Sequence, residues 1–378
     1  MNLNLHLNEK QVLIDKIKLS NVEISSIFDT QKLEDKGCLH REESGIRYAA
    51  TQNGVDFTRL NVKDEQVRLF AGVDNLHRRK YSKMELNVSG KEHGNLYCDD
   101  VVGLWDRIIA AQGYLMQNYG IKTDVEESKI TYIELNKTFK VSGDFEAYKR
   151  PLALLMSFLP VNMGVQGDFR TNNGAYQLTE KFSGNKSRSL KIYDKSSQVK
   201  INIEGSVIRV ELTLKKPETI KQALGSNRLD QLTDEVVNNY FNTQMKKLFS
   251  DPLEKWQKKK EKRLLHLMEQ KKEEEHHWIG AVLGTLQDQE VLSGVPEVMD
   301  VHDLFPLVDQ LQTAKKARTK RMLVEQAQKV QTAFNRRDDL KLQELIGKFI
   351  GTPDNQLKWT LRTDGTAGSV PVERRKIA

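Results

Sequence analysis

Over roughly the first 240 residues, apolar side chains recur at alternate positions in short runs broken by Gly, Asn and charge, the pattern of half-buried strands. The runs fall at residues 12–24, 67–72, 83–88, 130–141, 187–194 and 207–214. Two stretches between them change period. After Asp99 and Asp100, which can cap a helix, Val102, Trp105, Ile108, Ile109, Leu115 and Met116 follow at helical spacing. A second helix is expected from about Asp144, also a cap residue, through Tyr148, Leu152, Leu155 and Met156. Beyond Pro217 the helical period takes over, with Val236, Val237, Tyr240, Phe241, Met245, Leu248 and Phe249 on one stripe. Ser250-Asp251-Pro252 then reads as a stop, a cap and a first-turn proline. Further helices are expected at 253–275, 278–289, 314–334 and 340–350, followed by a frayed tail rich in Gly, Thr and charge.

These patterns predict an α+β domain built on an antiparallel sheet with helices packed on one face, followed by an all-helical C-terminal region. The expected boundaries are 1–228, 229–350 and a flexible 351–378. A chain of 378 residues is long enough for two such units.

Strand parity sorts the polar residues, because alternate side chains face opposite sides of a sheet. In ITYIELNKTF, Ile133 and Leu135 share one face, while Tyr132 and Glu134 share the other. In SLKIYDK, Leu190 and Ile192 lie opposite Lys191, Tyr193 and Lys195. In VIRVELTL, the apolar face of Ile208, Val210, Leu212 and Leu214 leaves Arg209, Glu211 and Thr213 on the reverse. If the three polar faces share one sheet surface, two carboxylates, a phenol and several cations meet where a phosphodiester can sit. Glu134 and Glu211 would hold Mg²⁺ or Mn²⁺, because hard divalent cations take oxygen ligands. Tyr193 would then attack phosphorus, with Lys195 favouring the phenolate. Taken singly, each residue has a plainer reading: a strand tyrosine is commonly a cross-strand packing residue, and Arg209 with Glu211 can be a surface pair.

Charge narrows the partner. The formal net charge is +7. Residues 181–200 carry six basic residues, Lys181, Lys186, Arg188, Lys191, Lys195 and Lys200, against the single acid Asp194. This run is expected to follow a DNA backbone, and Gly184-Asn185 would allow close approach to phosphate. From residue 251 onward, 23 Lys and Arg are nearly balanced by 20 Asp and Glu, as on solvated helix faces. The densest cluster there, KKARTKR, places Lys315, Lys316 and Arg318 as candidates for a second DNA contact. Two isolated cysteines, Cys38 and Cys98, indicate neither a disulfide framework nor a zinc cluster. No run of about 18 apolar residues and no secretory start are present, so a cytoplasmic protein without membrane contact is expected.

At these residues the chain resembles the filamentous-phage gene II type of replication initiator, a family of phages and plasmids. The resemblance rests on ITYIEL at 130–135, SLKIYDK at 189–195 and IRVELTLK at 208–215, against family segments of the type SRIDL, LKIYDKGxE and LRxExxLK. Weaker echoes are EHGNLYCDDV at 92–101 and LIDKIKLS at 13–20. The resemblance implies an HUH-like replication-initiator palm that nicks one strand at an origin for rolling-circle replication. It implies Tyr193 as nucleophile, Lys195 as its cationic helper and Glu211 as a metal ligand. Glu134 takes a position usually held by aspartate. None of the eight histidines forms a His-hydrophobic-His metal motif, and His93 is the one histidine inside a resembling stretch, so it stands as the candidate third ligand. Implied partners are double-stranded origin DNA, single-stranded DNA, a host helicase with other replication proteins, and a second copy of the initiator. Two other classes remain open on the residues: a non-catalytic origin-binding protein or repressor of the same fold, and a relaxase or transposase with the same tyrosine chemistry.

Overall fold

The computed structural model describes residues 9, 11–41, 49–65, 67–74, 79–88, 98–158, 187–196, 206–313, 315–329 and 338–350, together with the backbone of 175–178. It is an α+β protein. The strands are β1 (Leu13–Ser20), β2 (Glu23–Ile27), β3 (Leu39–His40), β4 (Ala49–Ala50), β5 (Asp56–Phe57), β6 (Arg59–Lys63) and β7 (Val67–Asp74). They continue with β8 (Arg79–Asn87), β9 (Ile121–Asp124), β10 (Lys129–Val141), β11 (Ala175–Leu178), β12 (Arg188–Asp194) and β13 (Ser206–Leu214). Nine of them form one sheet in the order β11-β12-β13-β10-β1-β8-β7-β6-β3. Every pairing in it is antiparallel.

The run expected at 12–24 is two strands. Asn21 breaks it with φ of 60°, a left-handed conformation that asparagine tolerates better than most residues. The chain then leaves the main sheet and pairs β2 with β9. Asp100 caps the Val101–Tyr119 helix by accepting from the Gly103 amide at 2.8 Å, and Gly120 closes that helix at φ of 63°. Asp144 does not cap a helix as its position suggests. A 3₁₀ turn at Phe145–Tyr148 intervenes, and the helix begins at Lys149 without a side-chain cap. The expected stop at Ser250 is likewise a π turn, Lys246–Ser250, joining the Asp234–Met245 helix to Asp251–Glu274. A wider turn accommodates Pro252, which lacks the amide that a regular α turn would use.

The chain divides into two compact units. The first comprises Met1–Glu146, Leu159–Ser250 and Lys348–Gly351, and it holds the sheet. Ile133, Leu135, Phe139, Ile208, Val210, Leu212, Leu190 and Ile192 are buried on one sheet face. Phe349 lies 5.8 Å from Phe139 and 5.4 Å from Phe249, ring centre to ring centre, and extends that core. Lys137 shares this apolar face and is fully buried, its amine making one long 3.5 Å contact with Asn242. Burial pulls its pKa down to about 8.

The second unit comprises Ala147–Phe158, Asp251–Gly347 and Thr352–Ala378. Its described elements are helical, around a core of Leu264, Met268, Ile279, Val282, Leu283, Leu304, Leu307 and Leu323. Arg150 ties its parts together, binding Glu290 through Nε and Nη2 at 2.6 and 2.8 Å, Asp338 at 2.6 Å and the Val298 carbonyl at 3.0 Å. Among the described residues, no helix is long and apolar enough to cross a membrane.

Candidate active site

Cross-strand register assembles the polar face row by row. Residues paired across antiparallel strands project to the same side. One row joins Ser189, Thr213, Glu134 and Lys16; the next joins Lys191, Glu211 and Asn136; a third joins Tyr193, Arg209 and Thr138. Parity thus placed these side chains on the correct face, and the strand order β12-β13-β10 brings them together. Every residue of β13 is buried, so its polar side chains must find partners inside the protein.

A fourth strand supplies a residue that parity alone does not find. In β1, Ile14 pairs with Leu135 and Lys16 with Glu134, leaving Asp15 as an extra residue. Such a bulge re-aims side chains locally. Carboxylate oxygens of Asp15, Glu134 and Glu211 lie within 4.8 Å of one another. The sequence carries a signal for this: the apolar positions Val12 and Ile14 give way to Ile17 and Leu19, a one-residue slip in phase.

Around this cluster, Lys191 Nζ donates to Glu211 Oε1 at 2.6 Å, and the Tyr193 hydroxyl donates to Glu211 Oε2 at 3.4 Å. The Tyr132 hydroxyl donates to Glu134. Arg209 Nε donates to Thr138 Oγ1 at 2.8 Å, while Nη1 stands 3.6 Å from Asp15. Lys195 Nζ is 5.8 Å from the centre of the Tyr193 ring.

The electrostatics follow from burial. Tyr193 is only 7% exposed, and burial raises its pKa well above that of a free phenol; Arg209 opposes the rise and Glu211 adds to it. Lys195 is pulled down to about 8, first by burial and then by Arg209. The resting phenol therefore keeps its proton, contrary to what a lysine beside it suggests, because desolvation outweighs the attraction of the cation. Glu134 is raised by burial and by the charge of Glu211. For Lys191, burial alone would lower the pKa, but Glu211 outweighs it and the ammonium is held more firmly than usual. Cys98, also buried, is pushed up to about 11 and stays a thiol.

Three carboxylates on one small patch form an oxygen-only donor set of the kind that suits Mg²⁺ or Mn²⁺, whose ligands stand about 2.0–2.2 Å from the ion. Opposite ligands of such an ion are then about 4.2 Å apart, compatible with oxygens gathered within 4.8 Å. Glu134 is raised first by burial and then by the charge of Glu211, and a divalent cation at this patch would favour its charged form.

Several expected residues fall elsewhere. His93, Lys181 and Lys186 lie outside the described residues, as does the 351–378 tail. Arg209, expected on the DNA surface, is instead fully buried, because its position pairs it with Tyr193 and Thr138 between covered strands. Lys191, also expected on DNA, spends its charge on Glu211. Arg188 begins β12 in register with Leu214, on the face opposite the site. Lys315, Lys316 and Arg318 are exposed at and just before the start of the Lys316–Lys329 helix. Lys316 binds the Asp309 carbonyl, and Lys320 reaches the Asp309 carboxylate at 2.8 Å.

No protein-family profile matches this chain. No curated protein matches it either. Among solved structures, the chain is similar to the rolling circle replication initiator protein from Geobacillus stearothermophilus, at 13% identity over 61% of this chain and 79% of that one, with a TM-score of 0.28. A likeness that slight carries no argument about this chain's fold or activity.

Proposed function

We propose that this protein is a rolling-circle replication initiator of the gene II type, which nicks one strand of a phage or plasmid origin with Tyr193. The observation that carries the reading is the hydrogen bond from the Tyr193 hydroxyl to Glu211, itself one of three clustered carboxylates. A nucleophile, an acceptor for its proton and an oxygen-rich cation site thus share one sheet face.

In this reading Asp15, Glu134 and Glu211 hold Mg²⁺ or Mn²⁺, which neutralises the scissile phosphate oxygens when bound. Asp15 takes the third position for which His93 stood as candidate. The Tyr193 oxygen attacks phosphorus while its proton passes to Glu211. The bond from phosphorus to the 3′ oxygen breaks, that oxygen takes up a proton from water, and the 5′ phosphate stays on Tyr193. Attack by a 3′-OH on the phosphotyrosine reverses the step and rejoins a strand. Arg209, on the same sheet face, stabilises charge on the phenol oxygen, and Lys195 contributes a cation whose charge is lost near pH 8. The substrate is double-stranded origin DNA and then its single-stranded product. A host helicase, other replication proteins or a second initiator copy would act beside it in the bacterial cytoplasm. The sheet would be an HUH-like palm in the 1–228 region, and the helical region to 350 would serve assembly or DNA contact.

The test is nicking of supercoiled replicon DNA with Mg²⁺ or Mn²⁺, comparing wild type with Tyr193→Phe and scoring covalent protein–DNA adduct on a denaturing gel. An adduct made by wild type and absent from Tyr193→Phe is expected. If the wild type binds the origin and never nicks it, the protein is a non-catalytic origin-binding protein, and the burial of Tyr193 then has its plain meaning as packing.

A further inference from the structure

The Asp251–Glu274 helix looks balanced in composition, and its charges are not evenly spread. Leu253, Lys260, Leu264 and Met268 are buried along one side. On the opposite side stand Lys255, Lys258, Lys259 and Lys262, all exposed. With 100° between successive residues, these four fall within about a third of the circumference. None of the four side chains forms an ion pair or hydrogen bond among the described residues. Other cations of the helix are committed: Lys260 to Asp303 at 3.1 Å, Arg263 to Glu297 at 2.8 Å and Lys271 to Glu275 at 2.9 Å. The stripe ends where the same side turns acidic at Glu269 and Glu273.

The KKARTKR cluster differs for three of its five cations. Lys316 and Lys320 are engaged with Asp309, and Arg321 stands 3.5 Å from Glu325. Sequence density favours that cluster, whereas uncommitted charge favours the four lysines.

We infer that the Lys255, Lys258, Lys259 and Lys262 stripe is a contact for the phosphate backbone of duplex DNA, without base readout. The inference rests on the DNA-directed reading above. From Lys255 to Lys262 the stripe covers seven residue steps, about 10 Å of helix, a length over which duplex DNA presents about six phosphate charges. Lysines act as point charges on flexible stems, suited to positioning rather than sequence reading. The stripe carries no aromatic or apolar side chain, so it offers nothing for base stacking or for insertion into a lipid surface.

The experiment is fluorescence anisotropy with a duplex of arbitrary sequence across a salt series. It compares the full chain with a variant carrying Lys255→Gln, Lys258→Gln, Lys259→Gln and Lys262→Gln. Each lost phosphate contact lowers the log-log salt slope by about 0.9, so the slope should fall by about three to four and low-salt affinity by at least tenfold. An unchanged far-ultraviolet circular dichroism spectrum checks the fold. An unchanged slope overturns the inference, as does wild-type binding to anionic vesicles without binding to duplex. Covalent adduct scored on the same preparations separates the two readings. Adduct with an unchanged slope leaves the nickase standing without the stripe, and a lowered slope without adduct leaves the stripe standing on a non-catalytic DNA binder.

Discussion

Lys191 occupies the place where the metal reading is most exposed to refutation. Its ammonium lies 2.6 Å from Glu211 Oε1 and its side chain is 33% exposed. A divalent cation bound to the same carboxylate would sit about 5 Å from that ammonium, and the two charges repel. With the screening of water, a +2 and a +1 charge at about 5 Å repel by about 1.7 kcal/mol, and a lower effective dielectric increases this several-fold. Partial exposure argues for the screened end of that range. Lys191→Met should therefore tighten Mn²⁺ binding by about 15-fold or more, because the methionine keeps the stem's packing and removes the competitor. Asp15→Asn should do the reverse and weaken binding by at least about tenfold, since a charged ligand is lost. Titration calorimetry at low ionic strength reads both directly, without DNA or turnover. If Lys191→Met binds Mn²⁺ no better than wild type while Asp15→Asn binds it no worse, the carboxylates are an internal ion-pair network and the metal reading falls.

Two further predictions concern stability. Lys137 is fully buried with its pKa lowered to about 8, so between about pH 8 and pH 10.5 the unfolded chain holds a proton that the folded one does not. Its destabilising effect is complete below that window and fades as pH rises through it. Lys137→Met should stabilise the protein by up to about 3 kcal/mol near pH 7, with the gain shrinking toward pH 10; a gain that stays constant with pH in urea denaturation refutes the assignment. Arg150→Met removes the partner of Glu290 and of the nearly fully buried Asp338, and should cost the helical unit about 3 kcal/mol, seen as a lowered urea midpoint. A change under about 0.5 kcal/mol would mean that those carboxylates find other partners.

The alternation of apolar and polar positions in 130–141, 187–194 and 207–214 determined the strands and which side chains share a face, because a period of two leaves little freedom once one face is buried. It made Tyr193, Glu211 and Glu134 legible as a group. The phase slip at Asp15 was also written in the sequence, yet it has meaning only once β1 is known to lie beside β10. Adjacency was largely the tertiary structure's decision: β1, β10 and the consecutive β12–β13 pair come from distant parts of the chain, and no local rule places β1 and β10 beside that pair. Burial was decided there too. Lys191 looks like a surface cation in a basic run and Arg209 like half of a surface pair, yet Arg209 is fully buried and Lys191 is Glu211's counter-ion. A side chain's charge is fixed by its residue type, while whether that charge meets solvent or a carboxylate depends on what the rest of the chain packs against it.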